Sequence, residues 1–454
     1  MFNYIRYLQK TTVNATRYKP FDKGLTQIHK NSLRGIKYYF NRNLDLVDLF
    51  VREEPDAKVQ PGLTDHDLTA VFSRNECPLS FIGNFWNKYK KIKVFIPQTG
   101  EVDLFNEDEF EDYLKFGPGP TNIYKNNINI NSQEVATRVS HFHITEKNQF
   151  REHMIRYANF IQPSIYSYLS EKNHYNYKVL IHGLDKILKR NNAYSCSDSA
   201  EDKLAKFYDL DYGINPKVSK KYSVPIAVSN ASSKLIRSTG RELLEAFKKI
   251  VNENSSLSCS IVVWKTFRTQ SDINLAVIYD DWDCFGNMEP TLLAITQFIK
   301  THGLRWQKLF SKDFSSCSGL RYPLFLSRKM WNQWLQSDPF VSLGILSSNP
   351  LVDGNSRILD SIQFDLSNIY SCISNQYAAV MSLKNNWRVH NGPALLLRYD
   401  FLANQIMGYE SILNEAPATD PQKLDFCSIK EGFDDLTNKL SLLRSQLISL
   451  PHNN

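Results

Sequence analysis

Cysteine is sparse in this chain, and none of it is spaced to grip a metal. Seven thiols (Cys77, Cys196, Cys259, Cys284, Cys317, Cys372 and Cys427) are scattered through 454 residues without a Cys-x-x-Cys pair. An odd, dispersed set argues against a zinc ribbon or a disulfide scaffold and reads as free thiols in a reducing compartment. No apolar run approaches the ~20 residues that a membrane-spanning helix needs. The opening Met1-Phe-Asn-Tyr-Ile-Arg6 has no continuous apolar core of the kind a secretory signal carries. These absences lead to the expectation of a cytoplasmic protein with no membrane span.

What is present fits an ordinary globular chain. Hydrophobic residues make up 42%, enough for substantial cores, and the length corresponds to roughly two to four domains. The net charge of +7 is modest for this length. It suits a phosphorylated ligand without requiring nucleic acid. The segment before residue 45 is basic and aromatic, with Lys10, Arg17, Lys19, Lys23, Lys30, Arg34, Lys37 and Arg42. Such a leader can bind nucleic acid by phosphate contacts and stacking. A solvated helix packing one face on the first domain is the plainer and favoured reading.

The chemistry concentrates in Pro61-Gly-Leu-Thr-Asp65-His-Asp67-Leu-Thr-Ala-Val-Phe72. Pro and Gly signal a turn, and the β-branched and apolar residues after it predict a strand. Side chains at i and i+2 of a strand share a face, so Asp65 and Asp67 project together while His66 points the other way. Paired carboxylates disfavour each other's charge unless a cation lies between them, and oxygen-only ligands suit Mg²⁺ or Mn²⁺. A polar strand end with two solvated carboxylates is the alternative. Apolar residues at Leu79, Ile82, Phe85, Trp86 and Tyr89 predict a helix. Ile92 to Ile96 alternates like a strand, and Glu101-Val-Asp103-Leu-Phe105 predicts another, with Asp103 at its centre. Asn106 and Glu109 form a capping-box pair for a helix over 107–116.

This order resembles the nucleotidyltransferase superfamily of the DNA polymerase β type over roughly residues 35 to 117. The segment Pro61 to Leu68 resembles its paired-aspartate element, and Val102-Asp103-Leu104 its third-aspartate strand. The whole chain also resembles long bacterial nucleotidyltransferase-domain proteins with helical extensions. The resemblance implies that Asp65, Asp67 and Asp103 hold Mg²⁺ or Mn²⁺, and that the substrate is a nucleoside triphosphate. A nucleoside monophosphate would pass to a hydroxyl of an unidentified acceptor. Arg52, Thr64 and Arg74 are the expected nucleotide contacts, with turn stabilisation an equal role for Thr64. One departure stands out: the family's Gly-Ser is missing, and the bulky Val51 followed by Arg52 occupies its place. A degenerate, nucleotide- or partner-binding module is therefore the alternative, and a helical scaffold with an incidental acidic strand is the third reading.

The remaining chain divides, on this reading, into a core with its leader over 1–147, a helical region over 148–215, a second α/β region over 216–350 and a helical region over 351–454. The expected class is α+β. In the second α/β region, Cys259 to Trp264 and Ser271 to Tyr279 predict strands, and Ser271-Asp272-Ile273-Asn274-Leu275 repeats the acidic pattern with Asn274 in place of the second Asp. Pro323 to Ser327 predicts a third strand, with Ser327 capping a helix. This region is either a degenerate repeat of the first or shares its pattern by chance. Asp280, Asp281 and Asp283 read as solvated strand-end residues. Asp338 to Gly344 reads as a turn. His141 and His143 share a strand face without a further ligand nearby and read as polar surface. Tyr177, Lys178, Lys186, Lys189 and Arg190 read as a charged helix surface that can also face phosphates.

Overall fold

Apolar side chains set at helical spacing on either side of short β-branched runs produce two small sheets, each covered by helices. The computed structural model describes residues 2–51, 59–116, 146–214, 238–255, 257–265, 273–280, 288–310, 322–348, 350–360, 392–414 and 428–449, with scattered positions between 362 and 385. The chain packs as two units. One comprises Met1–Ile144, Ile373–Leu402 and Leu424–Asn454; the other comprises Thr145–Cys372 and Ala403–Lys423. The helices expected as a separate region over 148–215 share a core with the second sheet, and the C-terminal region contributes to both units. Short amphipathic helices cannot bury an apolar face alone, so they pack where a sheet offers one. No helix among the described residues is long and apolar enough to cross a membrane.

The first unit opens with α1 (Phe2–Ala15) and α2 (Lys19–Asn43). Strand β1 (Leu46–Val51) runs antiparallel to β2 (His66–Phe72). Helix α3 (Pro78–Phe95) then crosses over to β3 (Thr99–Asn106), which lies parallel to β2, giving the order β1-β2-β3. Leu49, Val51, Leu68, Ala70, Phe72, Val102 and Leu104 line one sheet face and pack on Ile36, Phe40, Phe85 and Trp86 from α2 and α3. The expected strand over Ile92 to Ile96 is the last turn of α3 instead. Ile92 continues the buried series Phe85, Trp86 and Tyr89, whereas Val94 and Phe95 face outward. Two-residue alternation across five positions is too short to outweigh a helix already running.

Helix α4 (Glu107–Phe116) starts at the expected capping box: Glu109 N–H donates to Asn106 Oδ1 at 2.8 Å, and Asn106 N–H donates to Glu109 Oε2 at 3.0 Å. Asn385 clamps this corner by donating to Leu104 O at 2.9 Å and Glu109 Oε2 at 2.6 Å, while its own carbonyl accepts Trp86 Nε1–H at 3.0 Å.

In the second unit, α5 (Glu146–Arg156) passes through a π-turn (Tyr157–Ile161) into α6 (Gln162–Ser170). Helices α7 (His174–Arg190), α8 (Ala200–Tyr208) and α9 (Ser238–Asn254) follow. Strand β4 (Cys259–Lys265) pairs antiparallel with β5 (Ile273–Tyr279); α10 (Glu289–Phe310) crosses over to β6 (Leu324–Ser327), which is parallel to β5. Ser327 caps α11 (Arg328–Ser337) by accepting Met330 N–H at 3.1 Å. The segment read as a turn from Asp338 is α12 (Pro339–Ser348), which Asp338 caps by accepting Val341 N–H at 3.2 Å. Pro at the first helical position favours such a start, so the turn signal was a helix signal. Strand β7 (Leu351–Asp353) closes the order β6-β5-β4-β7. Two long helices, α13 (Gly392–Asn414) and α14 (Ile429–Ser449), follow.

Candidate functional site

The paired aspartates stand where a tight turn feeds β2. Leu63 and Thr64 N–H both donate to Gln60 O at 2.9 Å, and Gln60 N–H donates to Thr64 Oγ1 at 2.9 Å. Thr64 thus takes the turn-stabilising role of its two expected ones. Gly62 has φ of +85°, and a Cβ there would meet Gln9 O and Val13 Cγ2 at 3.0 Å, so α1 rests directly on the turn. Asp65 is exposed and Asp67 half-buried. Between them His66 is buried on the other side, as alternation requires. Its ring stacks on His29 at 4.2 Å, and Nε2 lies 3.0 Å from Ser32 Oγ and 3.1 Å from His29 O. The motif's central residue therefore fastens α2 to the sheet.

The parallel register places Asp103 opposite Thr69. Paired residues project to one side, and Thr69 lies two residues from Asp67, so Asp67 and Asp103 share a sheet face one diagonal step apart. The register slips between His66 and Leu68, where β3 carries an extra residue. That bulge brings Glu101 beside the motif: its N–H donates to Asp67 Oδ1 at 2.9 Å. Gly100 makes the approach possible, because a Cβ there would lie 2.4 Å from the same oxygen. The Gly100 carbonyl accepts the Tyr89 hydroxyl at 2.6 Å, and Lys93 Nζ donates to that hydroxyl at 3.1 Å.

Charge and burial act together on this pair. Burial first, then the carboxylates of Glu101, Asp65 and Asp67, hold the Tyr89 phenol protonated far above its usual range. Burial pulls the Lys93 ammonium below its usual value, against the pull of Asp65, Glu101 and Asp67 in the other direction. Glu101, Gly100, Tyr89 and Lys93 were not singled out from the sequence. Their only signals were the i, i+4 spacing of Tyr89 and Lys93 and the glycine ahead of the acidic strand.

Arg74, another expected site residue, lies elsewhere. Arg74 follows the far end of β2, and seven strand residues span roughly 20 Å. It is mostly exposed and ion-paired with Glu107 and Asp108, each at 3.4 Å, in the first turn of α4. Those acids, not the aspartate motif, are what its guanidinium meets. Arg52, His141, His143, Asp272, Asp281 and Asp283 lie outside the described residues. Asp280 is not simply solvated: Arg328 pairs with it at 2.7 Å. Among the described residues, no three His, Cys, Asp or Glu side chains come together as a metal-binding group. The donor set at the sheet is nonetheless all oxygen. Mg²⁺ commonly takes one or two protein carboxylates and completes its shell with water and substrate phosphates, so this chemistry fits that ion.

In the second sheet, the motif position matching Thr69 is Ala276, and its partner on β6 is Leu324. An apolar side chain therefore stands where the first sheet has Asp103. No family model matches the chain, and no curated protein or solved structure compared with it is similar.

Proposed function

We propose that the first unit is a metal-dependent nucleotidyltransferase that moves a nucleoside monophosphate from a nucleoside triphosphate to an acceptor hydroxyl and releases pyrophosphate. The observation carrying this reading is the β2–β3 register, which sets Asp103 on the face of Asp67. Asp65 and Asp67 are the residues that would hold Mg²⁺ or Mn²⁺, with Asp103 as a further ligand or as the group accepting the proton of the attacking hydroxyl. The bound ion would neutralise charge on the transferring phosphate. Within the chain, Glu101 N–H fixes one oxygen of Asp67. Tyr89, whose hydroxyl accepts from Lys93, donates to the Gly100 carbonyl and so steadies the bulge that carries this N–H. Cys77, Cys196, Cys259 and Cys372 are free thiols, in keeping with a reducing, triphosphate-rich compartment such as the cytoplasm.

A second reading is favoured by one observation: β1 ends in buried Val51 where a phosphate-binding Gly-Ser would be needed. On it, the unit binds nucleotide or a partner without turnover. Pyrophosphate release from ATP or GTP with Mg²⁺, followed alongside calorimetric binding, separates the two. Release that is lost in Asp67→Asn supports transfer, and binding without release supports the second reading. Metal-dependent nucleotide affinity unchanged in Asp67→Asn would sink the transfer reading.

A further inference from the structure

The positive charge of the molecule is not spread over it. Nine Lys or Arg and a single Asp lie between Phe2 and Asn43, whereas the rest of the chain carries 45 basic and 46 acidic residues. This segment therefore carries +8 and the remainder −1, so the net positive charge resides in α1, α2 and their junction. On α2 the cations form one surface. At 100° per residue, Lys23, Lys30, Arg34, Tyr38 and Arg42 fall within a stripe roughly 120° wide. All five are exposed, while Ile36 and Phe40 on the opposite side are fully buried. No carboxylate among the described residues pairs with Lys23, Lys30 or Arg34. The one acid, Asp22, lies off the stripe, in the first turn. Arg42 instead lies over the Tyr38 ring at 5.9 Å and donates to its hydroxyl at 2.8 Å, which presents a stiffened aromatic face among the cations.

We infer that this face of α2 binds single-stranded nucleic acid, its cations tracking the phosphates and Tyr38 stacking on an unpaired base. From Lys30 to Arg42 the stripe runs ~18 Å along the helix, a span of several backbone phosphates. Aromatic rings set among cations are the two parts that sequence-tolerant single-strand binding uses. Tyr4, Tyr7, Tyr18 and Phe21, all around 60% exposed or more, extend the aromatic surface onto α1 and the junction. An anionic bilayer shares the charge complementarity but needs an apolar helix face to bury. That face of α2 is already spent on the protein core, so the nucleic acid is the better fit.

Fluorescence anisotropy of the full chain with labelled oligouridine tests this, and it needs neither triphosphate nor divalent cation. Its failure would therefore leave the transfer reading standing. Oligouridine should bind with a log–log salt slope of about −3, from four cations at about −0.7 each. The combined Lys30→Gln, Arg34→Gln, Arg42→Gln variant should lose at least ~10-fold in affinity with unchanged circular dichroism. Lys90→Gln with Lys91→Gln, exposed on α3, should lose none. Tyr38→Ala should lose about 5-fold or more for oligouridine and nothing for inorganic polyphosphate, which has no base to stack. An unaffected triple variant, an equal loss in the α3 control, or binding to phosphatidylserine vesicles but not to oligouridine would each overturn the inference.

Discussion

Two sheets in this chain share one connectivity: an antiparallel pair, a helical crossover, then a strand parallel to the second. They differ at the positions where chemistry would sit. In the first, Asp67 and Asp103 share a face, and a bulge with a glycine makes room for a carboxylate against backbone. In the second, the matching positions are Asn274 and Leu324, the register of β5 on β6 runs without a slip, and Val277, Ile278 and Tyr279 are fully buried. A shared connectivity thus carries polar exposure in one sheet and apolar burial in the other. Connectivity alone does not make a site; the side chains at two register positions and one backbone irregularity do.

The comparison breaks most visibly at the aspartates. Asp67→Asn should lower pyrophosphate release by ~100-fold or more, the scale of losing a group that stabilises transition-state charge. Asn274→Asp should restore none of it, because Leu324 supplies no second oxygen. A radiolabelled-triphosphate assay on both variants reads the difference. Next in size, Leu324→Asp sets an unpaired carboxylate into a partly apolar layer and should cost about 2 kcal/mol of stability, measured by urea unfolding.

Gly100→Ala should cost about 1–2 kcal/mol and weaken activity as well, since the new methyl displaces the Asp67 carboxylate it would touch at 2.4 Å. Gly24→Ala, on exposed α2 with nothing within 4 Å of its added methyl, should instead stabilise by about 0.5–1 kcal/mol. A Gly100→Ala that stabilises, as Gly24→Ala should, would show that the bulge is not a constraint.

The smallest effect is a pH slope in the second unit. His153 and His182 are each pushed down to about 3, by burial first and then by cations: Arg190 and Arg156 around His153, Lys186, Arg156 and Lys189 around His182. Unfolding returns each imidazole to its ordinary value of about 6.5, where it binds a proton more readily than in the fold. The stability they contribute is therefore complete above pH ~6.5 and is lost as pH falls towards 3. His182→Gln should reduce that slope by at most one proton, as read from unfolding midpoints across the pH range.

Much of this was legible in the residues themselves. β-branched runs announced β2, β4 and β5, and the Asn106–Glu109 box announced α4, because each signal is local. The shared face of the aspartates followed from strand alternation. Its extension to Asp103 needed a pairing register, which no local pattern specifies. Glu101 and Gly100 were missed for the same reason: their nearness to Asp67 comes from one inserted residue in β3. The strand assigned at Ile92 failed because a short alternating run is also the end of an amphipathic helix. The four segments pack as two units because the middle helices share a core with the second sheet.

His66 has a mechanical consequence. The two acidic groups flank a residue whose ring is clasped by His29 and Ser32, so a pin at His66 joins the motif to the long basic helix, beside the apolar packing of Ile36 and Phe40. Anything that grips the outer side of that helix hard enough to tilt it must drag the pin. The carboxylates on either side would then turn with it, making the pose of the acids a readout of load on the helix.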